Sequence, residues 1–277
     1  MCDLSVIILV GNEELHIKRC LDMLVPLHPQ KIFVVESQRG DRTHEIVETW
    51  RLENSTTSIA VNTIWHDWPG NQALQFNWAL DNLPLSTEWI LRLDADEWLT
   101  SELIAEIQSK IPVIDKAIAG VILKRRHYWM GRWVKRGTYP TRILRLFRLG
   151  QCRYADNMKM DEHFIVKGEC TEFNNDFIDE SLISLNEWKT KHRGYAEREA
   201  QMVISGSMNK NKKIYYIFPP YFRSFTYFCI RYFLRCGFMD GVVGWQWHFW
   251  QGLWYRFLVD SCILRKKKEY ESSMDKF

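Results

Sequence analysis

Within the first hundred residues two apolar runs are continuous rather than alternating, and each ends in polar or acidic residues. They are Leu4 to Val10 before Gly11 and Asn12, and Lys31 to Glu36 (KIFVVE); Glu88 to Leu93 reads as the strand that ends at Asp94. A strand buried on one face alternates apolar and polar side chains; a continuous run demands cover on both faces, as in a parallel sheet with crossover helices. The intervening segments have helical spacing. Glu13 to Leu24 carries Leu15, Cys20, Leu21 and Leu24 on one side, Asp41 to Trp50 predicts a second helix, Thr63 to Trp65 a short third strand, and Ala73 to Leu80 a third helix. This alternation predicts an α/β fold with a mostly parallel central sheet flanked by helices. Ligands of such sheets bind beyond the carboxyl ends of the strands. Val10 to Glu13, Glu36 to Arg42 and Asp94 to Glu97 are therefore expected to converge on one crevice, with His66 and Asp67 nearby.

The segment Trp89 to Leu99 (WILRLDADEWL) carries the most specific chemistry. Asp94 and Asp96, separated by Ala95 at a strand end, can face one divalent cation. Hard cations such as Mg2+ or Mn2+ take oxygen ligands and leave positions open for substrate phosphates. Alone, such a pair is more often a solvated acidic turn; the neighbouring strand ends supply the context that favours a nucleotide and metal site.

Ser101 to Ile111 reads as a further helix and Ala119 to Lys124 as a strand. The basic, aromatic passage 125–148 leaves its element type open: Arg142, Arg145 and Arg148 recur at i+3, yet Ile143, Leu144, Leu146 and Phe147 also suit a strand. The seven cysteines form no CxxC pair and no zinc-spaced cluster, and no signal peptide is recognised, which predicts reduced thiols in a cytosolic compartment.

With these landmarks in place the chain resembles the family 2 glycosyltransferases, the inverting GT-A class. SVIILVGNEELHIKRCL (5–21), FVVESQRGDRTHEI (33–46), ALQFNWAL (73–80) and LRLDADEWL (91–99) follow the order of the family's motifs. LRLFR (144–148), MDEHF (160–164) and WKTKHRGYAEREA (188–200) are similar to later motifs of its bacterial lipopolysaccharide core, O-antigen and capsule branch. Glu36 stands where the family usually has Asp.

The resemblance implies a Rossmann-like GT-A fold and a nucleotide-sugar donor, a UDP-sugar favoured, held by Val10, Gly11, Asn12, Glu13, Glu36, Gln75, Asp94, Ala95 and Asp96. It implies direct metal ligation by Asp96, with Asp94 on the donor ribose or on the metal through water, and His192 completing the metal's shell. It implies a carboxylate base that takes the acceptor hydroxyl's proton: Glu162 first, Asp161 second. Neighbours on a strand face opposite sides, so at most one of the two enters the crevice, and His163 is read as structural. Asp41 is read as a helix cap. Arg125, Arg126, His127 and Trp129 are expected on the acceptor side, because sugars offer hydroxyls to charged groups and apolar faces to rings.

Residues 1–206 are expected to form the catalytic domain, with 1–100 holding the donor and 101–206 the acceptor, and 207–277 a helical extension. From Ser207 onward 12 Lys and Arg face 5 Asp and Glu, against a net charge of +3 for the whole chain. Trp245, Trp247, Trp250 and Trp254 fall close together, no 18-residue stretch is free of charge or Pro, and RKKKE (265–269) is basic. Such a tail suits a helix lying in a membrane interface rather than one spanning it; its alternative is packing on the protein. No nucleic-acid module is recognised.

A membrane-peripheral enzyme at the inner face of the bacterial cytoplasmic membrane, with a lipid-linked saccharide acceptor, is the expectation. The alternatives are a nucleotidyltransferase, which would carry a glycine-rich basic loop where this chain has acidic VGNEELH, and a catalytically silent glycan- or membrane-binding module.

Overall fold

The computed structural model describes residues 2–155, 164–206 and 210–274. Its elements run β1 (Cys2–Val10), α1 (Ile17–Leu24), β2 (Pro29–Glu36), α2 (Thr43–Glu53), β3 (Ala60–Trp65), α3 (Gln72–Asn82), β4 (Trp89–Asp94), β5 (Glu97–Leu99), α4 (Ser101–Lys110), β6 (Ile118–Trp129), β7 (Arg132–Trp133), β8 (Thr141–Arg148), β9 (Cys152–Tyr154), β10 (Phe164–Val166) and β11 (Glu169–Glu180). Five helices follow: α5 (Leu185–Ile204), α6 (Lys210–Ile217), α7 (Phe222–Cys229), α8 (Gly241–Trp247) and α9 (Tyr255–Met274). The chain packs as two units, one made of residues 1–128 and 140–182, the other of 129–139 and 183–277.

In the first unit the continuous apolar runs are buried on both faces. Leu4, Val6, Ile8 and Val10 of β1 join one core with α1, α2 and α4 side chains such as Leu21, Trp50 and Leu103. Ile7 and Leu9 join the opposite core with Phe33, Val35 and Phe76 of α3. This is the period-2 strand geometry with apolar cover on each side. The sheet path is β3-β2-β1-β4-β8-β6-β11-β5. The β2–β3, β1–β2, β1–β4 and β6–β11 ladders are parallel; β4–β8, β6–β8 and β5–β11 are antiparallel. The expected α/β architecture, a mostly parallel sheet flanked by helices and followed by a helical C-terminal part, is met.

Strands β1, β2 and β3 step outward in one direction, and β4 returns to the other side of β1. That reversal opens a crevice at the carboxyl ends of β1 and β4. The registers bring Leu9 beside Asp94 and Val10 beside Glu36, so strand ends distant in sequence become neighbours.

Some boundaries differ from the expected ones for local reasons. Helix α1 starts at Ile17 rather than Glu13, because the Glu13 carbonyl closes a turn with the N–H groups of His16 and Ile17. The passage around Arg145 is a strand. Strand β6 runs past Lys124 to Trp129 because β11 pairs along its basic half, Arg125 opposite Phe177 and His127 opposite Asp179.

The second unit takes residues 129–139 and then the chain from Ile183, so packing places α5 with the C-terminal helices rather than with a domain ending at residue 206. Ser184 and Glu187 form a reciprocal capping box at its start. Helices α5 and α9 share a core of Ala196, Ala200, Tyr255, Val259, Cys262 and Ile263. Buried carboxylates stitch the helices together: Glu199 accepts from Tyr216, Tyr255 and Arg256, and Asp260 from Arg223, Ser224 and the Tyr221 N–H. Two helical stretches, Ile230–Leu234 and His248–Trp254, are π-helical. No helix among the described residues is long and apolar enough to cross a membrane.

The buried His248 ring packs against Gly137 and Gly237. A Cβ on Gly237 would run into that ring and come within 2.9 Å of the Arg231 carbonyl. Gly237→Ala is therefore expected to cost about 1–3 kcal/mol by overpacking, read as a lower thermal midpoint. Burial holds His248 and His192 down at about 4, against an ordinary value of about 6.5. As pH falls the unfolded chain takes up these protons first, so stability falls from pH about 6.5 towards about 4. Urea midpoints measured across that window should decline, and should decline less steeply in His192→Gln.

Candidate functional site

Strand β4 is apolar except for Arg92, and it ends on Asp94. Ala95 and Asp96 form a tight turn that leads directly into β5. The buried Glu97 side chain folds back on this turn and accepts the Asp94 N–H at 3.0 Å. From the opposite strand end the Glu180 N–H donates to the Asp96 carbonyl at 3.0 Å. The turn is thus clamped on both sides, which fixes the backbone that carries the two aspartates.

Two buried arginines set its charge. Arg145, on β8, donates through Nη2 to Asp94 Oδ2 at 2.9 Å and to Glu97 Oε1. Arg92 donates to Asp94 Oδ1 at 3.4 Å, to Gln72 at 3.3 Å and to the Tyr154 hydroxyl. Burial alone would raise the Asp94 carboxyl, but the Arg145 and Arg92 cations overcome it and hold the group well below the usual carboxylate range. Glu97 moves the other way: burial raises it, Asp94 adds to the rise, and Arg145 opposes only in part. Two neighbouring carboxyls are driven apart, and Asp94 is the one that stays ionised.

The first and second strand ends are tied by hydrogen bonds. Asn12 Oδ1 accepts the Gly40 N–H at 2.9 Å, and the Glu13 N–H donates to Thr43 Oγ1 at 2.7 Å. The Glu13 carboxylate meets His16 Nδ1 at 2.7 Å. Asp41 does more than cap α2: Oδ1 accepts from the Thr43 N–H and hydroxyl, and Oδ2 from the Glu14 N–H, which joins the first loop to the second. Glu36 is buried at 1% exposure, and both its oxygens meet His44 Nδ1 while Oε2 also accepts from Arg39. Gln75, buried on α3, meets His66 Nδ1 at 2.7 Å, and the His66 ring stacks on Trp78.

The basic residues of β6 face an acidic strand. Arg126 pairs with Asp176 at 2.6 Å, Arg125 with Asp179 at 3.2 Å, and His127 lies 3.5 Å from Asp179. Arg19 donates to the Glu180 carboxylate at 2.8 Å and lies over the Trp98 ring. Trp129 and His192 belong to the second unit. Trp129 is buried there with Val134, Trp188 and Trp247, as a packing residue rather than a ring displayed to a sugar. His192 stacks on Trp188 and its Nδ1 donates to the Trp188 carbonyl at 2.8 Å. Asp161, Glu162 and His163 lie outside the described residues.

Asp94 and Asp96 are hard oxygen donors on a rigid turn, and the ionised Asp94 suits a divalent cation. No group of three or more His, Cys, Asp or Glu side chains gathered for a metal occurs among the described residues. The site residues that motif reading passed over are Arg92, Arg145 and Glu97. Their signal was present: a lone arginine inside an apolar strand needs a buried carboxylate.

The chain is similar in structure to residues 1–349 of TarS from S. aureus in complex with UDP, at 16% identity over 87% of this chain and 75% of that one, TM-score 0.44. It is similar to the mannosyltransferase PcManGT from Pyrobaculum calidifontis in complex with GDP-Man and Mn2+, at 14% identity over 96% and 75%, TM-score 0.48. A third likeness is to glucosyl-3-phosphoglycerate synthase from Mycobacterium tuberculosis with Mn2+, UDP and glucosyl-3-phosphoglycerate, at 18% identity over 45% and 44%, TM-score 0.33. The model of glycosyl transferase family 2 matches residues 5–170, more than half of the sequence. The chain that carries this aspartate turn belongs to glycosyl transferase family 2.

Proposed function

We propose that this nucleotide-sugar glycosyltransferase is metal-dependent and inverting, and that it extends a lipid-linked saccharide at the inner face of the bacterial cytoplasmic membrane. The pathway proposed is lipopolysaccharide core, O-antigen or capsule synthesis. The observation that carries the reading is the clamped Asp94–Asp96 turn at the sheet's reversal point, with Asp94 kept ionised by two buried arginines.

Asp96 and Asp94 would hold Mg2+ or Mn2+. The ion would neutralise charge on the nucleotide diphosphate as it leaves. The protein's own work is positional. Glu36, already bonded by His44 and Arg39, presents a fixed carboxylate to the base or ribose at the end of β2. Asn12 and Glu13 hold the first loop close to that strand end. Arg125 and Arg126 are half-neutralised by Asp179 and Asp176, which holds their side chains in place for acceptor hydroxyls. Glu162, with Asp161 the second candidate, would take the proton from the attacking acceptor hydroxyl while the diphosphate departs from the opposite face. A UDP-sugar is the favoured donor.

The membrane part of the reading is supported by what the second unit leaves uncovered. Ile214, Ile217, Phe218, Phe222, Phe225 and Trp245 are exposed, and Lys267 and Lys268 lie exposed on α9. Other tail residues pack internally, so residues 214–268 form a folded helical unit with an apolar exterior, not one amphipathic helix.

Asp96→Asn and Glu162→Gln should each lower sugar transfer by about 10²–10³ or more, the scale of a lost electrostatic or acid–base contribution. Radiolabelled transfer to a lipid-linked acceptor reads this, and an unchanged rate in Asp96→Asn sinks the metal role. Removal of divalent cations with EDTA should abolish turnover and UDP-induced thermal stabilisation together, and Mn2+ should restore both. Arg145→Gln leaves half-buried Asp94 and buried Glu97 without their shared cation, and breaking a buried pair costs about 3–5 kcal/mol. Chemical denaturation at pH 7 should show that loss, and a change below about 1 kcal/mol would falsify the role given to Arg145.

A further inference from the structure

Three arginines of the second unit, Arg223 and Arg231 buried and Arg256 half-buried, meet different fates. Arg223 donates to Asp260 at 2.8 Å and Arg256 to Glu199 at 2.9 Å. Arg231 is 2% exposed and has no carboxylate among the described residues. Its Nη1 reaches the Gln251 side-chain oxygen and, at 3.4 Å, the Tyr227 hydroxyl, while Nε and Nη2 have no partner. A guanidinium keeps its charge when buried, so an unpaired one is a standing cost unless something anionic meets it. The other charges that act on it include the cations Arg235 and Arg256, which deepen the deficit.

The backbone at this place is unusual too. Arg231 lies in one π-helical stretch, Ile230–Leu234, and its partner Gln251 in the other, His248–Trp254. Such turns concentrate at functional positions. Gly252, beside Gln251, leaves the guanidinium room, since a Cβ there would stand 3.4 Å from Nη1. The turn that buries Arg231 exposes Ile230, Phe233 and Leu234. A buried unpaired cation and exposed apolar side chains on one turn match a ligand with an anionic head and a hydrocarbon body.

We propose that Arg231 receives the phosphate of an anionic membrane lipid, with Ile230, Phe233 and Leu234 against the lipid's apolar part. The site deepens the membrane reading above and rests on it. It concerns docking, so it is independent of donor chemistry.

Flotation of the full chain with vesicles tests this. Phosphatidylcholine vesicles are compared with ones containing phosphatidic acid, and inorganic phosphate is the soluble competitor. The wild type is expected to bind the phosphatidic acid vesicles at least tenfold more tightly, and Arg231→Met to lose most of that gain. Lys116→Gln, which alters only an exposed charge of the first unit, should keep most of it. Because Met replaces an unpaired buried charge, Arg231→Met should melt at the same temperature as the wild type or higher. Phe233→Ser should weaken binding to both vesicle types. A lower melting temperature for Arg231→Met marks a structural arginine and overturns the proposal. So does a phosphatidic acid gain that survives the substitution, or its loss to millimolar inorganic phosphate. A wild type that ignores every vesicle removes the membrane reading itself, whereas one that binds both kinds equally removes only this site.

Discussion

The ionic cluster of Asp94, Glu97, Arg92 and Arg145 is the constraint on which the catalytic unit depends. Carboxylates at the end of a buried strand cannot stay charged without cations; Arg92 of β4 itself supplies one, and the neighbouring strand must supply the other. That requirement accounts for the antiparallel insertion of β8 between β4 and β6, in an otherwise largely parallel sheet. Beside the Leu91–Leu146 pair, β8 delivers Arg145 to both acids at once. One guanidinium shared by two carboxyls satisfies neither fully; Asp94, which has Arg92 as well, stays ionised and Glu97 is pushed up. A carboxylate held ionised ahead of substrate costs nothing to deprotonate when a cation arrives, which is preorganisation in the electrostatic sense.

The same principle sets the far side of the sheet. Strand β6 places Lys124, Arg125, Arg126 and His127 in succession, and β11 answers with Asp176 and Asp179. Glu180 turns back toward Arg19 on α1 and toward the Asp96 carbonyl. The acidic turn is therefore coupled through hydrogen bonds to the end of the strand that balances the basic one. A substitution at Glu180 removes the carboxylate that Arg19 meets but leaves in place the N–H that holds the Asp96 carbonyl.

The parts legible in the amino-acid order are those that depend on local pattern. Leu4 to Val10 and Lys31 to Glu36 announce strands covered on both faces, and the strand-end motifs announce where the crevice lies. What depends on distant partners was not legible in the same way. The element type of the basic half of β6 stays open in the amino-acid order because its carboxylates come about fifty positions later, as the Arg126 to Asp176 spacing shows. Trp129 looks like a sugar platform until Val134, Trp188 and Trp247 enclose it. The unit boundary followed packing of α5 on α9, which the charge shift at Ser207 does not report. Arg145 stood in plain view within RILRLFR, but its role appears only when β8 is set beside β4.

Buried and half-buried arginines give the chain a common measure for its two units. Arg92, Arg145, Arg223 and Arg256 all point to a carboxylate, and in each case the acid is part of the fold. Arg231 breaks the pattern. A helical unit that pairs Arg223 and Arg256 with such economy has no evident packing reason to leave a third guanidinium unmatched, because an apolar side chain of similar length would fill the space at lower cost. Retaining the charge makes physical sense where a negative group visits, and the exposed side chains on the same π-helical turn say that the visitor is partly apolar. In the first unit the cations keep a strand-end carboxylate ionised; in the second, Arg231 meets no such acid among the described residues.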